Sequence, residues 1–456
     1  MATNHTSQLQ APPWRRFLQA VLRLWWRFLR VVFGIEPAEA GGAFAGFAFI
    51  FCAFTSYAIL RPVRETMGIT SGVSNLPALF WGTFVVTLAT QPIFGWLTSR
   101  YRRTTFLPWV YGFLALNLFG FYLWFHFQDD HTWIARTFFV WLTVYALFVP
   151  SVFWSLMADI FRADQAKRLY GFLAAGTSAG GFLGPFISAL LAPVLGSINL
   201  LLFSLAFLVA SIFCIRYLTN WHARLTASHV SDSPPAASND VNRAVGGSLW
   251  AGFSLVAKSP YLLLIGLFIM LLTWVSTFLY LQQAELVSQA VPDRDAQTQL
   301  FGWVDVSVQW LSLLVQLFLL SHLTKWIKFT AMLALVPAMM VLGYAGLALY
   351  PVLPVLLGAI VVRRIGEYAI VRPCREMLFT SMDRESKYKA KNFIDTAIYR
   401  SGDAVSASLH AGLVALGLAT SGIAWAGAVI AGLWAMVAVR LGRTHEKKAA
   451  ESEKTA

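Results

Sequence analysis

Twelve apolar runs divide this chain, at about 41–61, 76–98, 105–127, 134–158, 169–193, 197–218, 260–282, 299–322, 328–350, 352–371, 391–415 and 420–441. Each is close to the roughly 20 residues a helix needs to cross a bilayer. A core helix of a large soluble protein can imitate one such run, but not twelve in succession. In lipid every backbone polar group must find its partner within the chain, and runs of this length do so as helices. Apolar residues make up 57% of the sequence and charged residues 12%, with a mean hydropathy of +0.62. A soluble domain has roughly 25% charged residues. The expected class is an all-α membrane protein of twelve transmembrane helices.

The formal charge of +13 invites a nucleic-acid reading until its placement is examined. Of 35 Lys and Arg residues, 27 fall on one side when the N-terminus is taken as cytoplasmic. That bias is the positive-inside rule. It predicts a multi-pass protein of a bacterial inner membrane with both termini cytoplasmic, and it leaves nucleic acid with nothing to explain. A lipid bilayer and a small molecule are the expected partners of a monomer. Cys52, Cys214 and Cys374 lie in or beside spans without motif spacing, and read as small apolar packing residues. The eight histidines have no metal-ligand spacing, and no phosphate-binding or nucleophile-elbow motif occurs, so no metal, cofactor or enzymatic activity is expected. The first apolar run begins near Gly41, which argues against a cleavable signal peptide.

Composition divides the chain further. Residues 1–40 form a tail in which Arg16, Arg23, Arg27 and Arg30 share one helical face opposite Leu18, Val21, Leu24, Trp25, Phe28 and Val32, the pattern of a helix lying on a membrane surface. Residues 41–218 hold six spans and 259–441 hold six more, with a 442–456 tail. Between them, 219–258 is a polar cytoplasmic linker whose Ser228–Asn242 stretch has the composition of a flexible coil. Lys167 with Gly180 and Lys389 with Gly402 have the same separation, each pair leading into the fifth or the eleventh span. After the second span comes Gly95-Trp-Leu97-Thr-Ser99-Arg100-Tyr-Arg102-Arg103, which resembles the loop motif of the major facilitator superfamily, with Ser99 where that family has Asp. Gly176-Thr-Ser-Ala-Gly180-Gly181-Phe-Leu-Gly184-Pro185 partly resembles its Gly-x-x-x-Gly-Pro motif, and small residues four apart let helices approach closely. The resemblance implies two six-helix bundles of major facilitator type.

Charges within spans are costly, so they pair, face the interior and mark a substrate or ion path. The stretch Gly358–Asp403 is the richest in them. Arg363 and Arg364 fall near mid-depth, one of them able to pair with Glu367 while the other stays free, and Arg372 falls toward the cytoplasmic end. Arg400, Asp403 and Asp395 follow in the eleventh span, and Asp305 is a lone carboxylate in the eighth. The first span ends at Arg61-Pro62-Val-Arg64-Glu65, where Arg61 and Glu65 are four apart and able to pair. Guanidinium holds phosphate and carboxylate through two hydrogen bonds, so an anionic substrate is expected on Arg61, Arg64, Arg363, Arg364, Glu367, Arg372 and Arg400. Asp305, Asp395 and Asp403 are candidates for coupling or ion pairing. Arg100, Arg102 and Arg103 in one loop, with Lys387, Lys389 and Lys391 in another, are placed to latch gates. Trp274 and Trp303 are candidates for stacking on a base.

Tyr368-Ala-Ile-Val-Arg372-Pro373-Cys-Arg375-Glu376-Met377-Leu378-Phe379 and Asp383-Arg-Glu385-Ser-Lys387-Tyr-Lys389-Ala-Lys391-Asn392-Phe-Ile-Asp395 resemble the ATP/ADP translocase family of nucleotide transporters, as does Leu60-Arg61-Pro62-Val63-Arg64. That family's first-span lysine has no counterpart, and Arg61 and Arg64 stand in that span instead. The resemblance implies a secondary transporter working by alternating access, exchanging a nucleotide-like or phosphorylated anion or coupling it to an ion. The alternatives are a proton-coupled exporter of drugs or unrelated metabolites, and a non-transporting receptor or assembly factor.

Overall fold

The computed structural model describes residues 27, 30, 34–100, 103–229, 249–379 and 384–455. Among them the chain is helical, with no strand. The first half is α1 Ala40–Thr70, α2 Leu76–Arg100, α3 Arg103–Phe127, α4 Thr132–Ile160, α5 Ala163–Leu195 and α6 Leu200–His229. The second begins with α7 Leu249–Lys258, α8 Pro260–Ala290, α9 Arg294–Leu314, α10 Leu320–Trp326 and α11 Phe329–Leu349. It continues with α12 Leu353–Gly366, α13 Arg372–Leu378, α14 Arg384–Phe393, α15 Tyr399–Ala415 and α16 Thr420–Thr455.

Ten of the described helical stretches are long and apolar enough to cross a membrane. The expected tenth and eleventh spans are not continuous α-helices. A π-helical segment, Glu367–Val371, joins α12 to α13, and another, Ile394–Ile398, joins α14 to α15. A third, Val315–Leu319, joins α9 to α10. Each π turn widens the backbone ring, and such turns often occur at functional sites. Between the halves, helix continues to His229 and resumes at Leu249, and residues 230–248, which hold most of the Ser228–Asn242 stretch read as coil, lie outside the described residues. Most of the amphipathic tail helix does too, although Arg27 and Arg30 are helical.

Apolar burial produces two separate cores. One runs from Ile35 to Leu218 and the other from Val256 to Leu441. The glycines at matching places in the two halves do matching work. A Cβ on Gly180 would come within 2.8 Å of the Phe51 carbonyl oxygen and 2.9 Å of Thr55 Oγ1, so α5 can lie against α1 only because that position is bare. A Cβ on Gly402 would collide with Thr273 Oγ1, which places α15 against α8 in the same way. Gly184 repeats the effect one turn on, where a Cβ would meet the Ala58 carbonyl carbon at 2.8 Å. These close approaches are what small residues four apart allow.

The halves meet through α5 with α9 and through α2 with α15. A Cβ on Gly302 would lie 2.8 Å from the Ala189 amide nitrogen, which makes the α5–α9 crossing backbone against backbone. Contacts between halves gather toward the end away from the chain termini. There Leu76, Leu79 and Phe139 pack with Leu281, Ala284 and Ala407. Thr66 and Thr298 hydroxyls are 2.8 Å apart, and the Ser197 amide and hydroxyl both donate to Asp295 at 2.6 Å. Trp81 Nε1 donates to Ser408 at 2.9 Å.

Candidate functional site

A cavity of about 380 Å³ lies between the halves, walled by α1, α2, α4, α8, α9, α12, α15, the Glu367–Val371 segment and the first residue of α13. Six arginines line it: Arg61, Arg64, Arg363, Arg364, Arg372 and Arg400. Four carboxylates face them, Glu65, Asp305, Glu367 and Asp403, leaving an excess of two positive charges.

Helix α1 passes through Pro62 to Thr70 without ending at Arg61, which carries Arg61 and Arg64 into the cavity. The proline ring removes one backbone donor but does not stop the helix, because neighbouring helices hold it in place. The Ser188 hydroxyl of α5 donates to the Ile59 carbonyl at 2.8 Å just before the proline. Arg61 does not pair with Glu65. Its Nε is 3.5 Å from Asp305 of α9, while Glu65 lies 3.3 Å from Arg64. Arg64 also donates to the Phe139 carbonyl at 3.3 Å, and its guanidinium sits 3.7 Å from the Phe139 ring centre.

Asp305 is therefore not a lone carboxylate. It takes Arg364 Nη1 at 2.5 Å on its other oxygen, so one buried side chain of α9 holds a guanidinium from each half. Arg363 Nη1 donates to Glu367 Oε2 and to the Ser276 hydroxyl, each at 2.7 Å. Neither arginine of the Arg363-Arg364 pair is left without a carboxylate, contrary to the expected single free cation. Arg372, placed from sequence near the end of its span, lines the same cavity. It lies 3.7 Å from Glu367 and 4.4 Å from the Tyr368 ring centre, and more than half of its side chain is exposed. The π segment starting at Glu367 shifts the helix register, and it lies between Glu367 and the arginine that reaches back to it.

Arg400 and Asp403 are 3.8 Å apart, and Asp403 also accepts from the Thr277 hydroxyl at 3.2 Å. Asp395 is absent from the cavity lining and pairs with Arg375 at 3.4 Å. Lys391 binds Glu376 at 2.6 Å, tying α14 to α13. Arg100 is exposed, while Arg102 and the side chains of Arg103 and Lys387 lie outside the described residues. Lys389 is part-buried outside the cavity. Trp303 meets the Phe186 ring edge-on and Trp274 packs into the second core, and neither lines the cavity.

Several lining residues carry no signal that charge placement alone would raise. Tyr57, Tyr368 and Tyr399 stand in the wall, each four residues from a charged one: Arg61, Arg364 and Asp403. Spacing of four on a helix shares a face, which was the available clue. Ser276, Thr277, Tyr280 and Gln283 come from α8, an apolar run whose polar residues recur at helical spacing. Guanidinium donors remain unused. Arg363 Nε and Arg364 Nε and Nη2 are buried without a protein acceptor. What the site offers is a set of N–H donors with surplus positive charge, in a volume at the small end of the roughly 300–1,000 Å³ range of ligand pockets.

No protein-family model and no curated protein matches the chain. Solved structures do. A bacterial homologue of the iron transporter ferroportin, in an inward-facing state, superposes with a TM-score of 0.61 at 14% identity over 90% of this chain and 100% of that one. A transporter of the POT family gives 0.58 at 12% identity, covering 91% and 99%. A bacterial homologue of the lysosomal transporter Spinster, inward-facing and unoccupied, gives 0.55 at 12%, also covering 91% and 99%. The fold is that of the major facilitator transporters. Near-complete coverage at this identity means shared architecture. The major facilitator frame places the arginine-lined cavity between the two halves, where each half contributes part of its wall.

Proposed function

We propose that this chain is a secondary transporter that moves an anionic, phosphorylated or nucleotide-like metabolite by alternating access. The observation that carries the reading is the cavity itself, with six guanidinium groups against four carboxylates between two halves of a major facilitator fold. Planar guanidinium groups match phosphate oxygens two at a time. An incoming anion competes with Glu367 for Arg363 and Arg372, and with Asp305 for Arg61 and Arg364. Because Asp305 bridges the halves, a ligand that takes its arginines loosens one arrangement of the bundles in favour of another. The contacts gathered at the end away from the termini make that end the closed one. With both termini cytoplasmic, as the basic bias predicts, this is an inward-facing form.

Arg61, Arg64, Arg363, Arg364, Arg372 and Arg400 are assigned to substrate, with Glu367 and Asp305 as the partners they keep when empty. Asp403, held by Thr277 beside Arg400, is assigned to ion coupling. The basic residues Arg100, Arg102 and Arg103, between the second and third spans, and Lys387, Lys389 and Lys391 of α14 are assigned to gating, and α14 is braced on Glu376 through Lys391. Purified protein in proteoliposomes tests the reading. Labelled inorganic phosphate, sugar phosphates and nucleotides are each offered to vesicles loaded with the same compound. Counterflow of at least one of them, lost in Arg363→Gln, is expected. Absence of counterflow for every anion, with uptake of an organic cation driven by a proton gradient, would favour the exporter reading instead.

A further inference from the structure

A groove of about 960 Å³ lies between α2, α3 and α4 and shares no residue with the central cavity. Helices α2 and α3 each pack on α4 but barely touch one another. The space between them is walled mainly by apolar side chains such as Leu79, Val86, Phe113, Val140 and Phe148. Its flanks face outward, with Trp109, Phe113 and Trp133 each more than 60% exposed. All three lie on helices long and apolar enough to cross a membrane. On α2 the lining runs from Ala78 to Ile93. That is a rise of about 22 Å, more than the depth of one leaflet of a ~30 Å hydrocarbon core.

Polar groups in the wall are satisfied locally. Asn75, Thr90, Asn117 and Thr137 each donate to a carbonyl three or four residues earlier. Arg136, one turn into α4, is the charged residue of the lining among the described residues. Its hydrogen bond is a long one, from Nη2 to the Ser71 carbonyl oxygen at 3.4 Å. Its guanidinium lies 4.7 Å from the Trp133 ring centre, and Nε is buried without an acceptor. Asp130 feels its charge, but that carboxylate is fully exposed and accepts the Thr132 amide at 2.9 Å. The groove thus has an apolar trough of acyl-chain length ending in an incompletely used guanidinium, beside a tryptophan of the interfacial type.

We infer that this groove binds an anionic glycerophospholipid, with one acyl chain along α2 and α3 and the phosphate on Arg136. A phosphodiester offers two free oxygens to the guanidinium fork. A zwitterionic headgroup would bring its own cation beside Arg136, so a net-negative lipid is preferred.

Full-length protein, delipidated in a neutral detergent, is titrated with phosphatidylglycerol, with phosphatidylcholine of the same chains, and with inorganic phosphate. Native mass spectrometry counts bound lipid, and thermal unfolding reports stabilisation. The expected result is one tight phosphatidylglycerol, preferred at least tenfold over phosphatidylcholine, with no matching shift from phosphate. Arg136→Gln is expected to abolish the preference, and Arg136→Lys to keep part of it. Val140→Trp, which fills the trough, is expected to weaken both lipids. Equal binding of the two lipids by the wild-type protein overturns the inference, as does a preference that survives Arg136→Gln. Stabilisation by phosphate equal to that by phosphatidylglycerol would make Arg136 a plain anion site and also overturn it. If Arg136→Gln does not fold, Val140→Trp decides alone, and unchanged tight binding there overturns the groove.

Discussion

Arg61 in the first half and Asp305 in the second form an ion pair of 3.5 Å across the central cavity. The same carboxylate holds Arg364 on its other oxygen. A link of this kind makes the relative position of the halves depend on what occupies the arginines.

Removing Asp305 leaves two guanidinium groups without their anion in a largely buried setting. Breaking a buried pair from one side costs about 3–5 kcal/mol. Asp305→Ala is expected to lower the melting temperature clearly, and the double change Asp305→Ala with Arg364→Met to recover part of the loss. Thermal unfolding of the purified variants checks this, and an unchanged melting temperature in Asp305→Ala would show that the pair contributes nothing.

Arg363 and Arg364 have different partners, so their neutralisation should differ. Arg363→Gln leaves Glu367 with Arg372 alone, whereas Arg364→Gln leaves Asp305 with Arg61 alone. Both variants are expected to fold and to lose anion affinity at least tenfold. Counterflow measured beside melting temperature separates lost binding from lost protein. Wild-type counterflow in both would remove these residues from the substrate site.

Glu367→Gln frees Arg363 and Arg372 together. If Glu367 is the anion that substrate displaces, the variant binds anion but changes the ratio of exchange to net transport. A purely structural brace predicts a lower melting temperature, partly restored in Glu367→Asp, with counterflow unchanged. Counterflow, net efflux and melting temperature on these two variants distinguish the outcomes.

The α5–α9 crossing is set by Gly302, whose Cβ position lies 2.8 Å from backbone. Gly302→Val is expected to force the halves apart at their closed end and to expose a cysteine placed at Thr298 to a water-soluble thiol reagent. Gly432 in α16 has open space where its Cβ would stand, so Gly432→Ala is the control and should change neither labelling nor stability. Equal labelling in both would mean that the crossing does not hold the halves closed.

Asp403→Asn keeps the shape of the side chain and can still accept from Thr277, but leaves Arg400 without its carboxylate. If Asp403 couples transport to an ion, counterflow persists while gradient-driven accumulation is lost. Uptake with and without an imposed proton gradient checks this, and full accumulation in the variant would release Asp403 from the coupling role.

Much of the architecture is legible in the sequence. Twelve apolar runs of bilayer length leave helices as the workable outcome, because lipid offers the backbone no partners. The equal separation of Gly180 from Lys167 and of Gly402 from Lys389 is legible in the sequence, while the helix contact each glycine makes, which depends on a missing Cβ, is seen only in the folded chain. The arginines and carboxylates of the cavity were visible too, because charge stands out in an apolar run. Which charge meets which was not. Helical spacing joined Arg61 to Glu65 and left Asp305 alone, yet the folded chain joins Arg61 to Asp305 across 244 positions of sequence, a pairing set by how two bundles dock. The π turns, the passage of α1 through Pro62 and the share of α8 in the cavity wall were decided in the same way. Local pattern determines which segments become helices and which faces are apolar. Only packing determines which polar faces are brought within hydrogen-bonding distance, because those distances depend on all the helices at once.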